Sequence, residues 1–139
     1  MSNFDLADMQ QLWSLPGGDA TASDQVLYNL TRRGIEWDLL PWCRAQRLPI
    51  MAYSPIEQGR LASNRALRGL AEGRGVTPAQ LALAAVLHQD GVIAIPKASN
   101  ADHVRQNRAA LDIALGADEL VALDKAFPPP SGPQPLAML

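Results

Sequence analysis

Disulfides, metal clusters and membrane spans all lack support in this sequence. Its 139 residues include one cysteine, so an internal disulfide is excluded and a reducing compartment is expected. That residue, Cys43, has no companion histidine pattern, and we expect a buried, unreactive thiol. No stretch approaches the roughly 18 apolar residues that span a bilayer, and the N-terminus lacks the basic and apolar regions of a signal peptide. We therefore expect a cytoplasmic protein with no bound metal and no membrane partner.

An excess of charge of either sign is also absent. The formal net charge of −2 argues against nucleic acid and anionic membrane surfaces as partners. Hydrophobic residues make up 47% of the chain, which predicts a globular core that buries about two-thirds of the unfolded surface. We expect one domain over residues 1–127, followed by a proline-rich, extended tail over residues 128–139.

The most informative stretch lies between Gly91 and Asn107. Val92–Ile95 is a short, apolar run of the kind that forms a strand buried on both faces. Pro96 cannot donate to a central ladder, so the strand is expected to end there. Lys97 then follows the carboxyl end of a strand.

A helix start is expected directly after this lysine. Ser99 and Asp102 have the spacing of a capping box, which places the first helical turn at about Asn100. Lys97 therefore lies where unpaired N–H groups and the positive end of a helix dipole converge, which predicts a phosphate-binding site. The alternative is an ordinary loop lysine in solvent.

Strands and helices alternate along the rest of the chain, which predicts an α/β fold with a parallel sheet. The expected strands are a stub ahead of Phe4, Gln25–Leu30, Ile50–Tyr53 and Val92–Ile95. Expected helices follow Phe4 and cover about 36–46, 64–73, 78–89, 101–111 and 117–127, with Pro41 in the first turn of its helix or kinking it. Trp37 and Trp42 are expected in the core.

Three motifs at expected strand ends resemble those of aldo-keto reductases. They are Ser2-Asn3-Phe4, Ala52-Tyr53-Ser54-Pro55 and Ile95-Pro96-Lys97-Ala98, and the resemblance extends over nearly the whole chain. It implies the C-terminal half of a (β/α)8 TIM barrel, incomplete because eight strands are needed. It also implies an NADPH-dependent oxidoreductase of the small bacterial type that acts on aldehydes, methylglyoxal or diketo acids.

The resemblance implies a role in cofactor binding for each matching residue. Ser2, Asn3 and Gln25 would contact the nicotinamide carboxamide, and Tyr53 would stack on the nicotinamide ring. The Ser54–Leu61 loop would cover the pyrophosphate. The remaining matching residues would contact the phosphates and the adenosine of the cofactor. Together with the loop, these residues are Ser54, Ile56, Gly59, Leu61, Lys97, Ala98, Ser99, His103 and Asn107.

Two features leave alternatives open. Ser2 and Asn3 are equally typical of a helix N-cap pair. Many members carry arginine and glutamate where this chain has His103 and Gln106, so the usual arginine contact to a 2′-phosphate, and with it the preference for NADP over NAD, is in doubt.

The family's catalytic tyrosine, lysine, aspartate and histidine match nowhere in this chain. We therefore expect a fragment that binds the cofactor but does not by itself reduce the small carbonyl substrate of the full-length enzyme. Met1 stands where the family has valine, and we expect it to mark an internal or misassigned start, or a gene break, in a longer reading frame. The alternative is a non-catalytic half-barrel that binds nucleotides or self-associates through its open strand edges.

Overall fold

Three short parallel strands form the only sheet, with the middle strand in chain order also in the middle of the sheet. The computed structural model describes residues 1–139 and places the strands at β1 (Asp24–Leu27), β2 (Ile50–Tyr53) and β3 (Val92–Ala94). Ser2 forms a further parallel bridge with Gln25, so the stub expected ahead of Phe4 is present. The fold is therefore α/β with strands and helices in alternation, and the sheet does not close into a barrel.

Six α-helices and four short 3-10 segments connect and flank these strands. The helices are α1 (Leu6–Trp13), α2 (Leu39–Ala45), α3 (Arg65–Arg74), α4 (Pro78–Leu87), α5 (Ala101–Ala109) and α6 (Ala117–Ala126). The 3-10 segments are Gly18–Ala20, Gly34–Glu36, Glu57–Ser63 and Ala110–Asp112. No helix combines the length and apolar character that a membrane crossing requires. No three metal-ligating side chains come together.

The helix starts follow directly from local sequence. At α4 the Thr77 hydroxyl accepts from the Gln80 amide at 3.2 Å, and the Gln80 side chain accepts from the Thr77 amide at 2.9 Å. Pro78 occupies the first helical position, where its missing N–H costs nothing. Pro41 is the third residue of α2 and so lies in the first turn, as predicted.

The two faces of the sheet have different surroundings. Val26, Ile50 and Ala52 point to the helices and are fully buried in a cluster with Met9 and Leu40. Gln25, Met51 and Ile93, which alternate with these along the strands, lie on the opposite face. Leu27, at the end of β1, is buried and lines a cavity with Leu6 of α1 and Leu39 of α2. A second cluster joins α3, α4 and α6, and Leu136 of the tail packs against the first cluster.

Two expectations about strands are wrong. Val92–Ile95 is not buried on both faces, because β3 is an edge strand and nothing covers its second face: Ile93 is 46% exposed and Ile95 37%. The strand expected to reach Leu30 ends at Leu27. There Asn29 turns the chain, its side-chain oxygen accepting from the Thr31 amide at 2.9 Å.

The tryptophans divide between core and surface. Trp42 packs edge-to-face on Trp13 with ring centroids 5.2 Å apart. Trp37, expected in the core, is 48% exposed and lies at the end of the 3-10 turn that precedes α2. Cys43 is fully buried, and burial raises the pKa of its thiol to about 12, in agreement with an unreactive thiol.

Candidate functional site

The carboxyl ends of the strands bring three of the motifs to one edge of the sheet. The Asn3 amide donates to the Gln25 carbonyl at 2.8 Å, which fixes the Ser2-Asn3 segment beside β1. Leu27 is paired with Tyr53, so the end of β1 lies beside the end of β2. The Ile95 amide donates to the Ala52 carbonyl at 3.1 Å, which brings the segment leading to Lys97 beside the end of β2.

Asn3 and its neighbour do not serve as a helix cap. Asp5 caps α1, accepting from the Asp8 amide at 2.9 Å, so the alternative role for Ser2 and Asn3 is excluded. Asn3 adopts a left-handed backbone with φ of 56°, and its side-chain oxygen is buried without a hydrogen-bond partner. Gln25 is half-buried on the sheet face that points away from the helices. An orphaned amide oxygen of this kind can accept from a ligand amide.

The segment that follows β3 presents a row of unpaired backbone donors. Residues 97–101 donate no backbone hydrogen bond within the chain, and neither does Asp102. Asn100 caps α5, accepting from the His103 amide at 2.8 Å, so the expected capping box of Ser99 with Asp102 is wrong. Asparagine is a strong cap and lies one residue closer to the first turn, which leaves Ser99 outside the helix.

Lys97 is exposed at the start of this row, and its ammonium makes no ion pair or side-chain hydrogen bond within the chain. The helix dipole of α5 adds partial positive charge at the same end. Ala98 is half-buried and Ser99 exposed, so both backbone amides lie near the surface. These features together favour an anion over a neutral ligand.

A second set of unpaired donors lies in the loop that follows β2. The amides of Ser54 and Ile56 have no acceptor within the chain. Ser54, Glu57 and Gln58 adopt left-handed φ values of 48°, 49° and 55°, each costing roughly 1–2 kcal/mol for a residue other than glycine. Gly59 continues the turn with φ of 87° and has open space where a side chain would stand, so a ligand can approach its backbone closely.

A buried polar network beneath this loop was not anticipated from sequence. The Asn29 side-chain amide donates to the Ser54 carbonyl at 3.0 Å and to the Glu57 carboxylate at 2.6 Å. Arg32 reaches the other oxygen of that carboxylate at 3.3 Å. Asn29 followed two residues later by Thr31 is the sequence pattern of an Asx turn, and that signal could have located the end of β1. Nothing in the sequence signals that Glu57 is buried.

The remaining candidate residues differ in what they offer. His103 and Asn107 are four residues apart and share a face of α5, with His103 exposed and Asn107 half-buried. Gln106 is exposed. Leu61 is only 2% exposed and packs in the second core cluster, so its side chain is closed to a ligand.

The two tyrosines have unequal surroundings. Tyr28 is buried and its hydroxyl donates to Glu36 at 2.6 Å. Burial, together with the negative charge of Glu36, raises the pKa of Tyr28 well above its ordinary value, so it holds its proton. Tyr53 is half-buried at the end of β2, beside the loop with unpaired donors.

Comparison with known proteins adds an independent finding. The family model described as aldo/keto reductase family matches residues 1–127. Methylglyoxal reductase YeaE of Escherichia coli is 50% identical over 144 residues, which cover 100% of this chain and 51% of that protein. The chain therefore spans about half the length of the curated relatives it matches.

Solved structures agree on the fold. An aldo/keto reductase from Klebsiella pneumoniae in complex with NADP and acetate superimposes with a TM-score of 0.96 at 50% identity, covering 99% of this chain and 50% of that one. The thermostable aldo-keto reductase Tm1743, in complex with epalrestat, gives a TM-score of 0.79 at 34% identity over 90% of this chain and 46% of that one.

Proposed function

Because this chain belongs to the aldo/keto reductase family, we propose that it provides the NADPH-binding part of a carbonyl reductase. The Klebsiella pneumoniae relatives that superimpose on it were crystallised with NADP and with NADPH. This chain carries half of their length.

One observation carries the proposal: the segment that contains Lys97 and the loop that begins at Ser54 both present unpaired backbone donors. The row at residues 97–102 and the pair at Ser54 and Ile56 follow neighbouring strands of the sheet. A pyrophosphate and a 2′-phosphate offer many acceptor oxygens and negative charge, which suits this set of donors. When bound, the cofactor supplies the hydride; the residues named here hold and orient it.

Each candidate residue then receives a role. Asn3, with its orphaned side-chain oxygen, accepts from the nicotinamide carboxamide, and Ser2 and Gln25 lie beside it. Tyr53 offers its ring to the nicotinamide face. The proposed phosphate and adenosine contacts are Ser54, Ile56, Gly59, the Leu61 backbone, Lys97, Ala98, Ser99, His103 and Asn107.

Proton transfer to the carbonyl oxygen lies outside this chain in our proposal. Tyr28 is held by Glu36 on the helix side of the sheet and keeps its proton. Tyr53 faces the nicotinamide in the proposed arrangement. We propose that the full-length enzyme reduces small aldehydes and ketoaldehydes, a class that includes the substrate named for the Escherichia coli relative. The buried thiol of Cys43 suits a reducing compartment such as the cytoplasm.

The role of Lys97 can be tested by Lys97→Met, which keeps the side-chain length and removes the charge. A charge-assisted hydrogen bond to the 2′-phosphate is worth about 1.5–3 kcal/mol, so NADPH should bind at least tenfold more tightly than NADH. The substitution should remove most of that discrimination. Calorimetric titration of both cofactors measures it.

The matched control is Lys125→Met, which removes the only other lysine, on the last turn of α6. It should leave both affinities unchanged. Equal affinities for NADPH and NADH in the unaltered chain would rule out Lys97 as the 2′-phosphate contact. Aldehyde reduction by the purified chain would overturn the assignment of proton transfer to groups outside it.

A second candidate function is self-association, favoured by the uncovered face of the sheet. Ile93 is 46% exposed on β3, Ile95 is 37% exposed just beyond it, and β3 has a neighbour on one side only. Open edges and apolar patches of this kind drive association. Sedimentation at micromolar concentration should show dimers or larger species. A compact monomer that melts cooperatively would exclude this candidate.

A further inference from the structure

We propose that Asn29 is a positioning residue that holds the Ser54–Leu61 loop in its phosphate-binding shape through the Ser54 carbonyl and the Glu57 carboxylate. This inference rests on the proposed function, because that function supplies the cofactor that the loop's amides would bind. Asn29 lies two residues beyond β1 and faces the loop from beneath. It contacts the loop that carries the unpaired donors and is not itself among the proposed cofactor contacts.

The conformation of the loop requires something to hold it. Ser54, Glu57 and Gln58 all have left-handed φ values, a region that residues with side chains seldom adopt. Three such residues within five positions persist only where the surroundings enforce them, and such strain concentrates at binding sites. The amides of Ser54 and Ile56 lie in this same strained segment and have no acceptor.

Asn29 can hold the loop in that conformation, because both donors and both acceptor positions of its side-chain amide form hydrogen bonds. Its nitrogen donates to the Ser54 carbonyl at 3.0 Å and to Glu57 at 2.6 Å. Its oxygen accepts from the Thr31 amide at 2.9 Å and from the Thr31 hydroxyl at 2.8 Å. The side chain is fully buried, so no water replaces these partners. The four bonds fix both the position and the orientation of the amide.

The buried carboxylate of Glu57 requires the hydrogen bond from Asn29. Its side chain is 8% exposed, and a carboxylate at that depth is costly without partners. Asn29 satisfies one oxygen, and Arg32 approaches the other at 3.3 Å. If Glu57 leaves Asn29, its buried carboxylate loses that hydrogen-bond donor, while the cations that pair with it are Arg32 at 3.3 Å and Arg60 at 4.0 Å. We call this arrangement the Asn29–Glu57 latch.

The test compares Asn29→Asp with a matched control and a compensating pair. Aspartate has the same size but places a second carboxylate against Glu57 and donates to neither the Ser54 carbonyl nor Glu57. Adding Glu57→Gln restores a donor that faces the new carboxylate. The control is Asn64→Ala, which removes another asparagine side chain whose oxygen accepts from the Leu67 amide at 3.0 Å and caps α3 outside the latch.

Amide hydrogen exchange over residues 54–61 gives a readout that needs no cofactor. We expect faster exchange in Asn29→Asp, a partial return towards the unaltered rate in the double variant, and no change in Asn64→Ala. Exchange that is unchanged in Asn29→Asp, or a double variant no better than the single one, would overturn the latch.

Binding of NADPH and of adenosine 2′-monophosphate separates positioning from general loss of structure. The second compound has the adenosine and 2′-phosphate but no pyrophosphate. Asn29→Asp removes two hydrogen bonds to the loop and so displaces the Ser54 and Ile56 amides. Because losing one contact to a charged phosphate costs about tenfold in affinity, Asn29→Asp should weaken NADPH by that factor or more and leave adenosine 2′-monophosphate within twofold. Equal weakening of both would overturn the positioning role.

Failure of the proposed function can be distinguished from failure of the positioning role of Asn29. If the unaltered chain binds neither compound, the cofactor proposal and the positioning role that rests on it are both overturned. The exchange rates still decide whether Asn29 holds the loop. If NADPH binds and only its affinity depends on Asn29, both proposals stand.

Discussion

At the level of single residues, the least satisfied group in the core is the carboxylate of Asp24. The side chain is fully buried, and neither oxygen has a hydrogen-bond partner. Desolvation by burial raises the pKa of Asp24 above its ordinary value of 3.8, outweighing the nearby backbone amides of Phe4 and Gln25, which favour the charged form. Ionising this carboxyl therefore costs the folded state more than it costs the unfolded state.

Replacing Asp24 by asparagine should stabilise the protein in a pH-dependent way. Because the folded pKa is raised, the native state gains relative stability from this group below pH 3.8 and loses it as pH rises through the folded pKa. The asparagine side chain does not titrate, so the gain in unfolding free energy should grow as pH rises from 3.8 to the folded pKa and stay constant above it, at about 1–3 kcal/mol.

Urea unfolding at several pH values between 4 and 8 measures this gain. The control is Asp90→Asn, at an exposed aspartate whose side chain makes no hydrogen bond; it should change little at any pH. A gain for Asp24→Asn that is flat across the range, or a loss at pH 7, would show that the carboxylate has a partner in solution.

Contacts of single residues also show which features could be predicted from the sequence and which could not. The cap at α4 was predictable because Thr77 and Gln80 act through bonds three residues apart. The burial of Glu57 was not, because its partner Asn29 is 28 residues away in the chain. Capping at α5 lay between these cases: the helix start was predicted, but Asn100 rather than Ser99 provides the bond.

At the level of elements, Arg33 connects the segment after β1 to the end of α6. Its guanidinium bonds Glu36 through two nitrogens at 2.8 Å each, Asp124 at 2.7 Å and the Phe127 carbonyl at 2.5 Å. The side chain is only 11% exposed. Burial opposes its charge, but the bonds to Glu36 and Asp124 outweigh burial and raise the pKa of Arg33 above its ordinary value.

Arg33→Met should therefore be strongly destabilising. It leaves Glu36 half-buried without its cation and frees the last turn of α6, and removing one partner of a mostly buried pair costs about 3–5 kcal/mol. Arg105→Met is the control, since Arg105 and Asp102 are 73% and 81% exposed and such pairs contribute under about 1 kcal/mol. Urea unfolding compares the two; similar losses would contradict the role of Arg33 as a connection between elements.

Elements were predictable where their signal is local. β2 begins and ends at the expected residues, Ile50 and Tyr53, because it is a β-rich run in the centre of the sheet. The burial of β3 was not predictable, because an apolar run has the same sequence at the edge of a sheet as at its centre. Its second face is exposed because β3 is an edge strand that nothing covers, and the strand order that shows this is not visible in the sequence.

At the level of the whole molecule, alternation of strands and helices was enough to predict a parallel α/β fold. The parallel arrangement brings the ends of β2 and β3 together, and with them the Ser54–Leu61 loop and Lys97. Sequence motifs located both segments. The unpaired state of their amides, on which the proposed function depends, follows from the positions of all neighbouring acceptors and required the structure.

The most direct measurement of the central claim is an NMR titration of the chain with NADPH, following the backbone amides. We predict that the amides of Ser54, Ile56 and residues 97–102 shift or gain protection from exchange, because they acquire phosphate acceptors that the free chain does not offer. Amides within α6 should remain unchanged. If NADPH binds while these amides do not respond, or if saturating NADPH perturbs no amide, the account of this site is contradicted.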